Sequence, residues 1–373
     1  MAARYFINGG VDNNWSTSGN WSATDGGAGG ETVPTASDNV FFTANSLNCT
    51  VNASARVALT LDFTGYTNTI TMSQQITVSG SVTLVAAMTI SGSGALIVSA
   101  TSTLTSNGKT WPNSLNLSGG STYTLADNWD VDGLLAVGGS SMTINGFQIT
   151  ASAGLTQGAN NTWGTTNIIM DGTGTITHSH ASAGALKTNL TINTAGTITF
   201  ATTNPFMYET GTFTYTAGTV VTTGSTLIIG ATSTTVTGLS VSGITWDNVK
   251  LTIGNGLNLP MDENLNLTGL LTIANSTNSF TMTGNTINAS GGVRYGGSSG
   301  TVSGTTVINV NGTGTLDAPS ATSGGINNPI TINAPGGTVT IATAGDTPFK
   351  ILLDKFNYVA GTVVTDKGTW ATP

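Results

Sequence analysis

The sequence predicts an all-β chain wound as a parallel β-helix (a β-solenoid) with an internal tandem duplication, and three observations carry that prediction. The chain repeats itself. Thr110-Trp111-Pro112-Asn113 returns as Thr245-Trp246-Asp247-Asn248, Gly133-Leu134-Leu135 as Gly269-Leu270-Leu271, and Asp171-Gly172-Thr173-Gly174-Thr175-Ile176 as Asn311-Gly312-Thr313-Gly314-Thr315-Leu316. Leu190-Thr191-Ile192-Asn193 returns as Ile330-Thr331-Ile332-Asn333, and the run Tyr215 to Thr222 as Tyr358 to Thr365, so the offset drifts only from 135 to 143 residues. Self-similarity of this kind marks units that stack their apolar faces on one another. The second observation is short alternation, as in Thr69-Ile70-Thr71-Met72, Ile76-Thr77-Val78 and Leu96-Ile97-Val98. Such period-2 runs are strands with one buried face. The third is what separates them: Gly, Asn and Ser, residues suited to tight corners, with no room for crossover helices.

Taken in order, the chain divides into four parts. Residues 1–54 hold Trp15, Trp21, Phe41 and Phe42 around the run Gly26-Gly27-Ala28-Gly29-Gly30. A terminal coil needs a cover for its open edge, and these rings supply the bulk for a cap. They are also the candidate residues for docking on another protein. Residues 55–109 read as the first solenoid coils, 110–244 as repeat unit 1 and 245–373 as repeat unit 2. Phe206 to Phe213 and its counterpart Phe349 to Phe356 both read as strand. Coils of roughly 20 residues at ~4.8 Å per stacked strand would make a rod about 80–90 Å long. The alternative architecture is a row of β-sandwich domains; the short strands and the scarcity of Pro in the turns favour the helix.

Composition narrows the function. Charged residues make up 7 % of the chain, against roughly 25 % in ordinary soluble domains. Apolar residues at 38 % nevertheless supply a core, which disordered chains lack. Nine Lys+Arg against seventeen Asp+Glu give a net charge of −8, so no basic track for nucleic acid is expected. No run approaches the ~18 apolar residues of a membrane helix. The first ten residues show no apolar leader, an expectation that fits a protein made in a host cytoplasm and released by lysis. Cys49 stands alone, which leaves no internal disulfide, and it reads as a small inward hydrophobe.

The opening Asn14-Trp15-Ser16, Gly19-Asn20-Trp21-Ser22, Gly26 to Gly30, Val33-Pro34-Thr35 and Asp38-Asn39-Val40-Phe41 resembles that of β-solenoid structural proteins of tailed-bacteriophage virions. Bacterial β-helical surface proteins open similarly. The body, with units such as Gly108-Lys109-Thr110-Trp111 and Leu115-Asn116-Leu117-Ser118-Gly119, resembles the same group. The resemblance implies a non-enzymatic virion component on the capsid (decoration or cement) or on the tail (fibre). Its implied partners are major capsid or tail proteins, further copies of itself (a trimer by default) and host-surface glycans, and its implied location is the virion surface. The alternatives are a bacterial surface adhesin or filament subunit, and a glycan-cleaving tailspike.

Three constellations could carry chemistry. Asp127, Asp130 and Asp132 cluster, with Asp130 and Asp132 expected on one strand face where a carboxylate pair could do acid–base work or bind a hard cation. The second copy has Met261-Asp262-Glu263-Asn264-Leu265-Asn266-Leu267 at the equivalent place. His178-Ser179-His180 puts two imidazoles on one face, which in a trimer could meet a metal on the axis; a plain surface pair is the simpler reading. Trp111, Trp129, Trp163, Trp246 and Trp370, with Tyr208, Tyr215, Tyr295 and Tyr358, could stack on sugars or could pack the core. No catalytic, cofactor or metal residue is assigned.

Overall fold

A computed structural model describes residues 2–10, 12–54, 56–138, 143–158, 162–179, 185–231, 236–254, 256–274, 279–296, 300–317, 325–342 and 355–365. The protein is all-β, with parallel coils stacked as a β-solenoid. The described residues contain no α-helix, and a 3-10 turn lies at Ser18–Asn20. The parallel stacking rules out the row of sandwiches, whose sheets are antiparallel. Contacts divide the chain into two compact units, one of residues 1–184 with 194–198, the other of 185–193 with 199–373.

In the first unit each coil gives one strand to each of successive ladders. One ladder runs through Ala3–Phe6, Asn39–Phe41, Thr60–Asp62, Val82–Thr83, Ser102–Thr105, Thr122–Leu125, Thr143–Gly146 and Thr162–Trp163. A second contains Cys49–Val51, Thr69–Met72 and Thr89–Gly92. A third begins at Arg56–Ala58 and Ile76–Val78. Its register sets Leu96 on Leu115, Leu135, Leu155 and Ile176, and Val98 on Leu117 and Val137, all buried. Stacking like on like gives a buried aliphatic column in which each backbone group bonds to the coil above or below.

The second unit repeats the device. Leu265, Ile287, Ile308, Ile330 and Phe356 stand in register on successive strands. The long strand Ile330–Ala342 turns a corner, pairing with Ile308–Val310 through Ile330 and with Gly314–Asp317 through Val339. Phe200, Phe206, Tyr208, Phe213 and Trp246 form an aromatic core, with Phe200 and Trp246 centroids 4.7 Å apart. Phe206–Tyr208 is strand as expected; residues 349–354 of its counterpart lie outside the described residues.

The duplicated motifs occupy the same places in both copies. Trp111 bridges Val131, and Trp246 pairs with Leu267. Leu155 pairs with Ile176, and Val293 with Leu316. The recurring Gly-Thr-Gly-Thr has a steric cause. A Cβ on Gly172 or Gly174 would fall on the backbone of Ser152 or Ala153, and one on Gly312 or Gly314 on the backbone of Ser290 or Gly291. Coil rests on coil there with nothing between.

At the N-terminus, Trp21–Ser22 lies antiparallel along Ala3–Phe6, and Asn14 bridges Thr50 at the margin of Cys49–Val51. Trp15, Trp21, Phe6, Phe42, Phe63 and Tyr66 fill the space behind these edges, with Trp15 and Trp21 centroids 4.8 Å apart. Cys49 is buried as the sequence suggested, and burial pushes its thiol pKa well up.

Asp38 pins this segment. Its carboxylate accepts hydrogen bonds from the Thr35 hydroxyl at 2.7 Å, the Thr35 N–H at 3.0 Å and the Ala2 N–H at 3.2 Å. Burial opposes the charge, but these donors, with Arg4 nearby, hold its pKa below the ordinary 3.8. A depressed folded pKa means the stabilisation is present above the unfolded value and is lost as pH falls through the folded one. Asp38→Ala, which removes three hydrogen bonds to a carboxylate, should cost about 1–3 kcal/mol at neutral pH. Hydrogen exchange at Ala3–Phe6 should then show, already at neutral pH, the loss of protection that wild type shows only in acid.

Candidate interaction surfaces

Of the four candidate docking residues, Trp15, Trp21 and Phe42 are fully buried. Their rings close the core and are withdrawn from the surface. The Trp21 indole N–H donates to the Trp15 carbonyl at 2.7 Å, so even its polar atom points inward. Phe41 is half-buried and stacks on Tyr5 with centroids 4.9 Å apart. What the N-terminal segment offers outward is polar. Asn8, Gly10, Asp12, Asn13, Asn48 and Asn68, with the 52 % exposed Leu47, line a shallow opening. Asp12 accepts hydrogen bonds from the Asn14 N–H, the Asn14 and Asn20 amides and the Thr17 hydroxyl. The first of these contributes most to lowering its pKa.

The acidic cluster separates into corner residues. Asp127 accepts the backbone N–H groups of Ser106 at 2.7 Å and Asn107 at 2.6 Å, one coil earlier. Glu263 does the same for Ser242, whose N–H at 3.1 Å and hydroxyl at 2.9 Å lower its pKa, the N–H most. Asp130 faces outward from Trp129–Val131 and accepts the Thr110 hydroxyl at 2.8 Å. Asp132 lies just past that strand, and its pKa is raised by burial, then by Asp130 and Asp171. Register places Asn266 at the position of Asp130 and Thr268 at that of Asp132. Ser152 donates to Asp171 at 2.7 Å in the first copy, and Ser290 to Asn311 at 2.8 Å in the second. The corner thus keeps its hydrogen bond without the carboxylates, so its geometry does not require them. Because the folded protein favours the neutral form of Asp132, Asp132→Asn should leave stability at pH 7 unchanged or slightly higher in a urea titration.

His178 does not form a surface pair. It is buried on Gly174–His178, opposite Gln157, so it is turned away from any axis outside the chain; His180 lies outside the described residues. Among the aromatic candidates, Trp111, Trp129, Trp246, Tyr208 and Tyr295 are buried core residues. Tyr215 is half-buried and Tyr358 exposed, each donating its hydroxyl to the glycine carbonyl three residues on, Gly218 at 2.7 Å and Gly361 at 2.5 Å. The side chain of Trp163 and all of Trp370 lie outside the described residues. No group of three or more His, Cys, Asp or Glu side chains suited to a metal occurs among the described residues.

A hydroxyl array lies on the first ladder. Thr103 and Thr124 stand in register with Asn145, and Thr122 with Thr143 and Thr162. Thr101, Thr103, Thr122 and Thr124 are exposed. Outward Thr and Asn side chains repeat every ~4.8 Å along this part of the stack. The signal was present as Thr-x-Thr, but only register turns it into a surface.

Among known proteins, no family model, curated protein or solved structure matches this chain.

Proposed function

We propose that this protein is a non-enzymatic structural component of a bacteriophage virion, a rigid solenoid displayed on the capsid as decoration or cement, or on the tail as a fibre. The observation that carries this reading is how the polar side chains are used. Asp127, Asp130, Glu263, Asn128 and Asn264 each bond a neighbouring coil, the last two accepting the Gln148 and Thr286 N–H groups. The chemistry of the corners goes into holding coils together. The resemblance of the Trp15-to-Phe41 opening to tailed-phage structural proteins supports the same reading. Its partners would be capsid or tail proteins, met through the polar opening around Asp12 and Leu47, and its site the virion surface. The hydroxyl array favours an accessory contact with host polysaccharide.

The test is immunogold electron microscopy of particles from the source culture with antibody raised to residues 110–373. Gold on heads supports decoration, and gold on tails or tips supports a fibre. Bare particles beside labelled cells would overturn the proposal in favour of a surface adhesin. Cleavage of capsular polysaccharide by the purified chain, lost in Asp130→Asn or Asp132→Asn, would instead make it a tailspike.

A further inference from the structure

The duplication supplies an internal control for the corner that follows the strand Thr143–Gly146. Both copies build that corner in the same way. Gly146 and its counterpart Gly284 hold φ of +101° and +104°, and a Cβ on either would strike a carbonyl of the preceding coil, that of Leu125 or Met261. Each glycine donates its N–H to a threonine hydroxyl of the following coil, Thr165 at 2.9 Å and Thr305 at 3.2 Å. The next residue differs. Asn285 ties its amide to the preceding coil, donating to the carbonyls of Met261 at 3.0 Å and Asp262 at 2.6 Å. Phe147, at the same place in the first copy, has no group to make that tie, and its side chain is 53 % exposed.

The sheet face leading into the corner differs in the same sense. In the second copy Thr281 and Thr283 donate their hydroxyls to the Asn258 amide oxygen at 2.9 and 3.1 Å, so the outward polar groups answer one another. In the first copy Thr122 stands where Asn258 does and Thr124 where Pro260 does, while Thr143 and Asn145 take the places of Thr281 and Thr283. Thr103, Thr122 and Thr124 are exposed and Asn145 is half-buried. Among the described residues, the side chains of these four hydrogen-bond to no protein group. A lone exposed ring is ordinary on a protein surface. Here the ring replaces a coil-tying amide and lies beside polar groups that the other copy satisfies internally. This face does not serve to hold the coils together.

We propose that this face of the first unit binds an uncharged polysaccharide, with Phe147 as the platform and Thr103, Thr122, Thr124 and Asn145 as its hydrogen-bonding groups. The inference rests on the polysaccharide contact proposed above and gives it residues and a sugar class. Hydroxyls and an amide both donate and accept, as sugar hydroxyls do. The negative face of an aromatic ring attracts the weakly positive C–H face of a pyranose. Thr103, Thr124 and Asn145 stand in register at ~4.8 Å per coil, a step comparable to one sugar unit of an extended chain. Residues 101–105, 122–126 and 143–147 carry no charge, and the Asp127 carboxylate just beyond them disfavours acidic sugars. Among the described residues of this face no second large apolar side chain is exposed, so it lacks the apolar centre of a protein interface.

The experiment is affinity electrophoresis of the full chain in native gels containing dextran, mannan, galactomannan or xyloglucan, all uncharged, with alginate as the acidic comparison. At least one uncharged gel should retard the wild type, and alginate should not. The dissociation constant read from the retardation should rise at least about fivefold in Phe147→Ala, and about threefold or more when Thr122→Val and Thr124→Val are combined. Phe147→Asn gives the first copy the residue of the second. It should lose binding as Phe147→Ala does while unfolding in urea as the wild type does, which separates a lost contact from a lost fold. Asn285→Ala should be retarded as the wild type is. Retardation in none of the uncharged gels overturns the proposal. So does retardation that alginate matches, or that Phe147→Ala and the paired valines leave unchanged. Gold-labelled virions with no retardation would overturn this inference alone, and retardation by uncharged polysaccharide beside bare virions would overturn the virion reading alone.

Discussion

Trp246→Ala should cost about 3–5 kcal/mol, the range for emptying a large aromatic site in a core. The ring is fully buried, 4.7 Å from Phe200 and 6.3 Å from Phe213 between centroids, and stands in register with Leu267. No neighbour can collapse into the space, because each flanking strand is held by its own coil-to-coil ladder. Trp246→Phe should cost far less, about 1–2 kcal/mol at most. The indole Nε1 is buried and finds no acceptor among the described residues, so the smaller ring loses volume but also removes an unanswered N–H. Solenoids lose stability unit by unit, so a single global midpoint would blur the effect. Hydrogen exchange under increasing urea, read at Leu265–Leu267 and Asn248–Ile253, measures it directly. Equal losses in the two variants would mean that ring volume does not decide the site.

The second large effect is expected at Gly292. Its φ of +99° lies where side chains are strained, and a Cβ there would strike the backbone of Thr315 in the next coil. Gly292→Ala should cost about 3 kcal/mol or more, combining backbone strain with a forced separation of coils. Gly336 is the control, with φ of +76° and open space where its Cβ would go. Gly336→Ala should cost only the strain, about 1–2 kcal/mol. Gly154, the equivalent glycine of the first copy at φ +133° and facing Thr175, should behave as Gly292 does. The same urea series checks both copies.

The fold was legible because its causes are local and repeated. Thr69-Ile70-Thr71-Met72 alternates in sequence and shows the same half-buried, buried alternation in space. The motif Gly-Thr-Gly-Thr recurs because backbone meets backbone. The candidate sites were less legible, because composition names a residue type but not its side of the wall. Trp15, Trp21 and Phe42 read both as a cap and as docking residues, and they turn inward, closing the first coil's core as a cap does. His178 sits at the end of its alternation, where a single step decides between lumen and solvent. Asp130 and Asp132 looked paired by spacing, yet the strand ends between them, and their surroundings differ accordingly. The hydroxyl array depends on register between coils some twenty residues apart, which no single stretch of sequence displays.

The spacing of those coils has a consequence for how such a chain can change length. Thr60 lies over Asn39 and Val82 over Leu61, with Leu104 and Leu125 following in the same column. Gaining or losing one whole coil leaves every column aligned. Gaining a single residue inside a strand turns its apolar set outward. Viable insertions and deletions therefore come in coil-sized quanta, and relatives of this chain should differ in reach by whole steps of a ruler, not by fractions of one.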